Sequence, residues 1–307
     1  MAILVPSRRL TLQLSIILLF AAMARGASGD PPEYTYRTNV NEVRMTFAAM
    51  DQNNHGVATL QASDFAIVDK DIIVRNFESF TRSDWTKLEI AIVVDASESV
   101  TPRFRREMAD VLDLVSQTAG VPDENLSIFS FQGSQPSLLC TGGCRATHAA
   151  DRLPARRAGG LTPLFDTIVF ASNYLAQHSD AHAEKILILF SDGEDTISRT
   201  SLSEAIDSSL RTEVQIFAID LGNSRTYQGT AVLRGLTHAT GGRYFPPPSS
   251  ASEALTMILE GFRATYTVTY RLPSRSSGFH TVQILPTHNV KLQFHSRSGY
   301  YFPTRVQ

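Results

Sequence analysis

The 307-residue chain holds only two cysteines, Cys140 and Cys144, separated by Thr141-Gly142-Gly143. A zinc site built on them would need further ligands. His148 lies four residues on, and no fourth ligand is in view. The pair therefore reads as a small loop disulfide, with free thiols as the alternative. Basic residues give no excess either: 28 Lys and Arg stand against 30 Asp and Glu. Without residues 1–27, which carry Arg8, Arg9 and Arg25 and no acid, the balance is 25 against 30. A nucleic-acid partner would want a basic stripe, so that class is disfavoured. Internal repeats and low-complexity tracts are also missing. So are His-Glu-x-x-His, Gly-x-Ser-x-Gly, a phosphate-binding glycine loop and a convincing nucleophile–base pair. Their absence removes the positive case for an enzyme without excluding one.

One apolar run is present, from Leu10 to Ala24, behind Arg8 and Arg9 and ending in Ala22-Met23-Ala24. That pattern is a secretory signal peptide, cut between Ala24 and Ser28. An uncleaved anchor is the alternative, but the run is short for a span of about 20 residues. No later segment is apolar enough to cross a membrane. The expected location is secreted, periplasmic or in the cell envelope.

With 43% hydrophobic and 19% charged residues the remainder reads as globular. Its organisation changes twice. Val40–Ala48, Asp64–Val68 and Ile72–Phe80 read as strands, with a turn at Asp51–Gly56. From Lys87 to about Thr265, apolar strands alternate with helical stretches. Strands are expected at Leu88–Val94, Leu126–Phe131, Lys185–Phe190 and Val214–Leu221, with a weaker one at Arg243–Phe245. Helices are expected at Pro102–Thr118, Pro163–Gln177, Leu202–Leu210, Thr230–Thr240 and Ser252–Phe262. The alternation implies an α/β fold with a doubly wound, mostly parallel sheet. The end is β again, at Tyr266–Leu272, His280–Leu285, Val290–Phe294 and Gly299–Pro303. Neither flank is long enough to bury a good core alone, since domains below about 60 residues are marginal. Joined in space they would form one β-sandwich, with the α/β part inserted. The expected boundaries are 1–27 signal, 34–85 β segment, 86–264 α/β domain and 265–307 β segment.

Three polar segments at or near the ends of apolar runs carry the chemistry: Asp95-Ala96-Ser97-Glu98-Ser99, Leu161-Thr162-Pro163 and Ser191-Asp192-Gly193. Two of them sit where open α/β sheets place ligands, outside the carboxyl ends of strands. Together Asp95, Ser97, Ser99, Thr162 and Asp192 offer two carboxylates and three hydroxyls, hard donors suited to Mg²⁺. Two carboxylates neutralise the ion and no more, so it would stay able to accept a partner's carboxylate. Each segment also has a plain structural role available. Asp95, Ser97 or Ser99 could cap the next helix, Thr162-Pro163 has the form of a helix start, and Asp192-Gly193 of a turn.

Asp-x-Ser-x-Ser after the first strand, Thr162 in Gly159-Gly160-Leu161-Thr162-Pro163-Leu164, and Asp192 in Phe190-Ser191-Asp192-Gly193 resemble the metal-ion-dependent adhesion site of von Willebrand factor A domains. The order and spacing fit over residues 86–264. The resemblance implies a Rossmann-like fold with one Mg²⁺, or alternatively Mn²⁺ or Ca²⁺, held by Asp95, Ser97, Ser99, Thr162 and Asp192. It also implies a protein partner whose acidic side chain completes the coordination. Leu60-Gln61-Ala62-Ser63-Asp64-Phe65, the run from Ile73 to Phe80 and Arg297-Ser298-Gly299-Tyr300-Tyr301 resemble the bacterial secreted VWFA-related family. Val68-Asp69-Lys70-Asp71 departs from that family in lacking a glycine, which leaves the local hairpin geometry open.

Weaker candidates remain. Glu98, Glu194 and Asp195 could rim the site, although exposed acids are usually just solvated. Asp166 reads as a first-turn acid favoured by the helix dipole. His178 and His182, four apart, have zinc-like spacing but no third ligand. The expected function is an exported, non-enzymatic binding protein. The alternatives are a metal-dependent hydrolase using Glu98 or Glu194 as base, and a structural envelope component.

Overall fold

The computed structural model describes residues 42–52, 55–83, 87–96, 123–132, 135–144, 161–180, 183–222, 227–247, 250–262 and 265–302. The chain divides at Val40, and residues 1–40, with the expected signal peptide, lie outside the described residues. The helix expected at Pro102–Thr118 lies outside them too.

The central sheet contains β5 (Leu88–Asp95), β6 (Leu126–Gln132), β7 (Gln135–Thr141), β8 (Glu184–Ser191), β9 (Val214–Asp220) and β10 (Tyr244–Phe245). Their order is β10-β9-β8-β5-β6-β7, parallel except for β7, which pairs antiparallel with β6. β7 was not legible beforehand. It carries Pro136, which cannot donate to a ladder and is tolerated at a sheet edge, where β7 lies. Among the described residues four helices accompany this sheet: α1 (Leu164–His178), α2 (Leu202–Arg211), α3 (Tyr227–Thr240) and α4 (Ala251–Phe262).

Strand parity sorts the core into two layers. Ile90, Ile92, Val94, Ile186, Ile188 and Phe190 join the cluster under α4. Ala91, Val93, Leu187 and Leu189 join the cluster under α1, α2 and α3. Helix α1 answers with Leu164, Ile168, Ala171 and Leu175, spaced by three and four so that they share one buried stripe. Each fully buried Leu or Ile side chain here stabilises by about 1.5–3 kcal/mol. Because side chains alternate along a strand, Asp95 and Ser191 continue the row of Val93 and Leu189 and share the α1 side.

The flanks pair with one another across the inserted part. One sheet has the order β13 (Gln293–Ser296), β1 (Glu42–Met50), β11 (Thr265–Arg271), β4 (Ser79–Ser83). The other runs β14 (Gly299–Phe302), β12 (Gly278–Pro286), β2 (Phe65–Asp69), β3 (Ile72–Val74). Val43, Met45, Phe47, Tyr266 and Val268 of the first meet Phe65, Ile67, Val282 and Ile284 of the second in one core. The two sheets thus form a sandwich. The expected single strand Ile72–Phe80 is a correction: it is two strands, β3 and β4, in different sheets. The chain between them crosses from one layer to the other.

The β2–β3 hairpin forms without glycine. Lys70 (φ 47°) and Asp71 (φ 67°) both occupy the left-handed region between paired Asp69 and Ile72, the backbone pattern of a type I′ turn. Beside it, Asp69 is fully buried. It accepts from Tyr270 Oη (2.8 Å) and Tyr300 Oη (2.6 Å), and faces His280 Nδ1 at 3.2 Å. Burial and the Asp69 carboxylate push both phenols far above their ordinary value, so they remain donors. A buried charge thereby finds its partners on β11, β12 and β14.

Residues 297–301 join the sandwich to the α/β part. Arg297 Nη1 donates to Glu213 Oε1 (2.6 Å), and Ser298 N to Ala239 O (3.1 Å). The Arg211 guanidinium lies 3.6 Å from the Tyr301 ring centre. Tyr300 turns the other way, into the Asp69 cluster.

Candidate functional site

The connections leaving β5 and β8 run in opposite directions through the sheet, to β6 on one side and β9 on the other. Such a switch point opens a crevice outside the carboxyl ends of the two strands. Asp95 ends β5 and Ser191 ends β8 there, both fully buried. Ser191 Oγ donates to Asp95 Oδ2 at 2.9 Å and accepts the Gly193 amide at 3.0 Å. Asp192 follows, 6% exposed, with Oδ1 accepting the Glu194 amide at 3.1 Å. The turn reading of Asp192-Gly193 is thus realised, and Gly193 has φ 80°. That turn uses one carboxylate oxygen.

Thr162 reaches the same loop from the front of α1. Its amide donates to Thr196 Oγ1 (2.7 Å) and its carbonyl accepts the Thr196 amide (2.9 Å). Thr162 is not the helix cap. The N-cap is Pro163, without a side-chain cap, and the first free amides are taken from outside the helix. Phe165 N donates to Asp195 Oδ2 (3.1 Å) and Asp166 N to Ser198 Oγ (3.1 Å).

Asp195 is accordingly no rim acid. It caps α1 and also accepts the Ser198 amide at 3.1 Å. Asp166 is more than a first-turn acid, since its oxygens accept the amides of Arg199 (3.1 Å) and Thr200 (3.0 Å). Burial raises its carboxyl, but hydrogen bonds from Thr200 and Arg199 outweigh this and hold it below its ordinary value. Residues 195–200 of the loop are therefore sewn to the start of α1. Glu194 is exposed, as expected of a solvated acid.

A further layer was missed by sequence reasoning. Asp220 ends β9 in register with Ser191 and is 5% exposed. Its signal was present: Val214-Gln215-Ile216-Phe217-Ala218-Ile219-Asp220 closes an apolar strand with a carboxylate, as Leu88–Asp95 does. Helix α3 also closes on the site. A Cβ on Gly193 would lie 2.3 Å from Gly229 O, and one on Gly229 would lie 2.0 Å from Asp192 O. Only glycine permits that approach.

Ser97, Ser99 and Glu98 lie outside the described residues. Among the described residues no group of three or more His, Cys, Asp and Glu side chains could hold a metal. A cation here would depend on hydroxyls as well as Asp95 and Asp192. That donor set fits a hard divalent ion: two sequestered carboxylates, one ending β5 and one just past the end of neighbouring β8, with Thr162 not spent on a cap.

The zinc candidates dissolve otherwise. Cys140 and Cys144 form a disulfide. His178 Nδ1 lies 2.8 Å from Tyr174 O, and its ring stacks on Tyr174, while His182 lies outside the described residues.

Residues 90–194 match the family model of the von Willebrand factor type A domain. Comparison with curated proteins gives no match. Similar solved structures include an aerotolerance-related membrane protein from Bacteroides fragilis, at 16% identity over 57% of this chain and 98% of that one, TM-score 0.44. BatB from Bacteroides thetaiotaomicron matches at 16% identity over 56% and 96%, TM-score 0.41. The manganese-loaded TRAP protein of Plasmodium vivax matches at 13% over 73% and 98%, TM-score 0.44. Likeness at this level bears on neither the ligand nor the partner of this chain. The family match spans all three polar segments, so residues 90–194 are similar to a von Willebrand factor type A domain.

Proposed function

We propose that this is an exported, non-enzymatic binding protein that engages an acidic group of a protein partner through a divalent cation, Mg²⁺ in the first instance. Asp95, Ser97, Ser99, Thr162 and Asp192 would hold it. The observation that most supports this reading is the chain of contacts at the crevice. Buried Asp95 is bonded to Ser191 beside Asp192, and Thr162 is tied to Thr196 on the same loop. When bound, the cation would supply an electrophilic point open to a partner's carboxylate. Asp95 and Asp192 would balance its charge, and the neutral hydroxyls would add donors without adding charge. The loop pinned by Asp166 and Asp195 keeps Thr162 and Asp192 in fixed relation, so little ordering would remain for binding to drive.

The test is thermal unfolding of the full chain in Mg²⁺ or Mn²⁺ against chelator. A ligand at 100 times its Kd adds about 2.7 kcal/mol, or roughly 4–5 °C for a chain of this size. Asp95→Ala should abolish the shift. An undiminished shift in that variant would remove the assignment. Chelator should likewise release any partner captured from envelope extract.

A further inference from the structure

Asp220 is saturated with donors. Its Oδ1 accepts the Gly222 amide (2.7 Å), and its Oδ2 accepts Thr230 Oγ1 (3.2 Å) and Tyr244 Oη (2.6 Å). Three donors from three elements leave it poorly suited to bind an ion itself. Two of the three donors, however, belong to segments that pack on the Asp192 turn. Gly222 packs so that a Cβ there would be 3.3 Å from Asp192 Cβ. Thr230 sits on the first turn of α3, next to Gly229, which lies against Asp192 O. Tyr244 on β10 closes the set from the sheet edge. Burial and the bond to Asp220 push its phenol upward, so the proton stays available for donation.

We propose that Asp220 is a positioning residue: it gathers the β9–α3 loop, the first turn of α3 and β10, and so presses Gly222 and Gly229 onto Asp192 and fixes that carboxylate for cation binding. The cation half of this statement rests on the proposed function, while the placement of the Asp192 turn stands independently of it. Without Asp220, the Gly222 amide and the Thr230 hydroxyl lose their common acceptor and the backstop behind Asp192 loosens. An asparagine keeps the acceptor for Gly222 and can donate to the two hydroxyls, so it should preserve the clamp while removing its charge.

The experiment compares Asp220→Ala and Asp220→Asn in the full chain by two readouts. Amide hydrogen exchange at Gly193 and Glu194 in chelator reports the turn, and Mn²⁺ titration reports the site. The expected result is at least tenfold faster exchange and at least tenfold weaker Mn²⁺ binding in Asp220→Ala, with Asp220→Asn within threefold of wild type in both. Unchanged exchange in a folded Asp220→Ala protein overturns the proposal. Equal Mn²⁺ loss in both variants with protection intact also overturns it, because charge would then be the agent. A wild-type chain that binds no Mn²⁺ while Asp220→Ala still loses protection removes the cation reading and leaves the clamp standing. If Asp220→Ala fails to fold, Tyr244→Phe removes one of the three donors and should give a smaller change, about threefold, in the same two measurements. No change there overturns the clamp.

Discussion

Ser191 Oγ bridges two segments of the site, donating to Asp95 Oδ2 at 2.9 Å while taking the Gly193 amide at 3.0 Å. One small hydroxyl thus ties a buried carboxylate on β5 to the turn that carries Asp192. Hydrogen bonds to charged groups contribute about 1.5–3 kcal/mol. Ser191→Ala should therefore cost that much in urea denaturation with chelator present. A loss below about 0.5 kcal/mol, within the scatter of surface substitutions, would show that the bridge carries little.

The hairpin at Lys70-Asp71 pays for its missing glycine in backbone strain. Glycine enters the left-handed region freely, so Asp71→Gly should stabilise the chain by about 0.5–1 kcal/mol. The gain should appear as a higher urea midpoint with an unchanged slope.

Asp166 supplies a pH signature. Its carboxyl is held below the ordinary value of 3.8 in the folded state. A depressed value means stability that is present above the unfolded value and lost as pH falls through the folded one. Asp166→Ala should cost about 1–2 kcal/mol at neutral pH through the Arg199 and Thr200 amides. The difference from wild type should shrink below pH 3.8. A penalty that persists unchanged at the lowest pH tolerated would mean that the charge contributes nothing.

The Cys140–Cys144 disulfide closes a short loop. Chain-entropy arguments give about 2 kcal/mol for so small a ring. A Cys140→Ala/Cys144→Ala double variant should lose about that much, measured by chemical denaturation under non-reducing conditions.

Arg297 and Tyr301 hold the sandwich against α2 and the turn after it. Calorimetry should show one transition for the wild type and two for an Arg297→Ala/Tyr301→Ala variant, since the halves have separate cores. Persistence of a single transition would mean that the remaining contacts, Ser298 with Ala239 among them, suffice for cooperativity.

Most regular elements could be read beforehand because their signal is local. Apolar runs ending in polar residues gave β5, β8 and β9, and helical spacing gave α1 through α4 to within a few residues. Where the reading failed, the deciding partner was remote. Ile72–Phe80 looks continuous in sequence but is divided because β2 claims its first part and β11 its last. Gln135–Thr141 looks like loop until β6 offers it a ladder.

The sequence by itself determined the alternation of strands and helices, the carboxylates at the ends of β5 and β8, and the parity that turns Asp95 and Ser191 to one side. Those depend on spacings of two and of three or four residues, which any stretch of chain carries within itself. Only the tertiary structure decided that Asp195 and Ser198, not Thr162, serve the start of α1, and that Asp220 stands behind Asp192. It alone decided, too, that Tyr300, far along the chain, would satisfy Asp69. Hydrogen-bond partners are chosen by proximity in the folded state, and a side chain's own neighbours in sequence do not reveal which distant donor will reach it first.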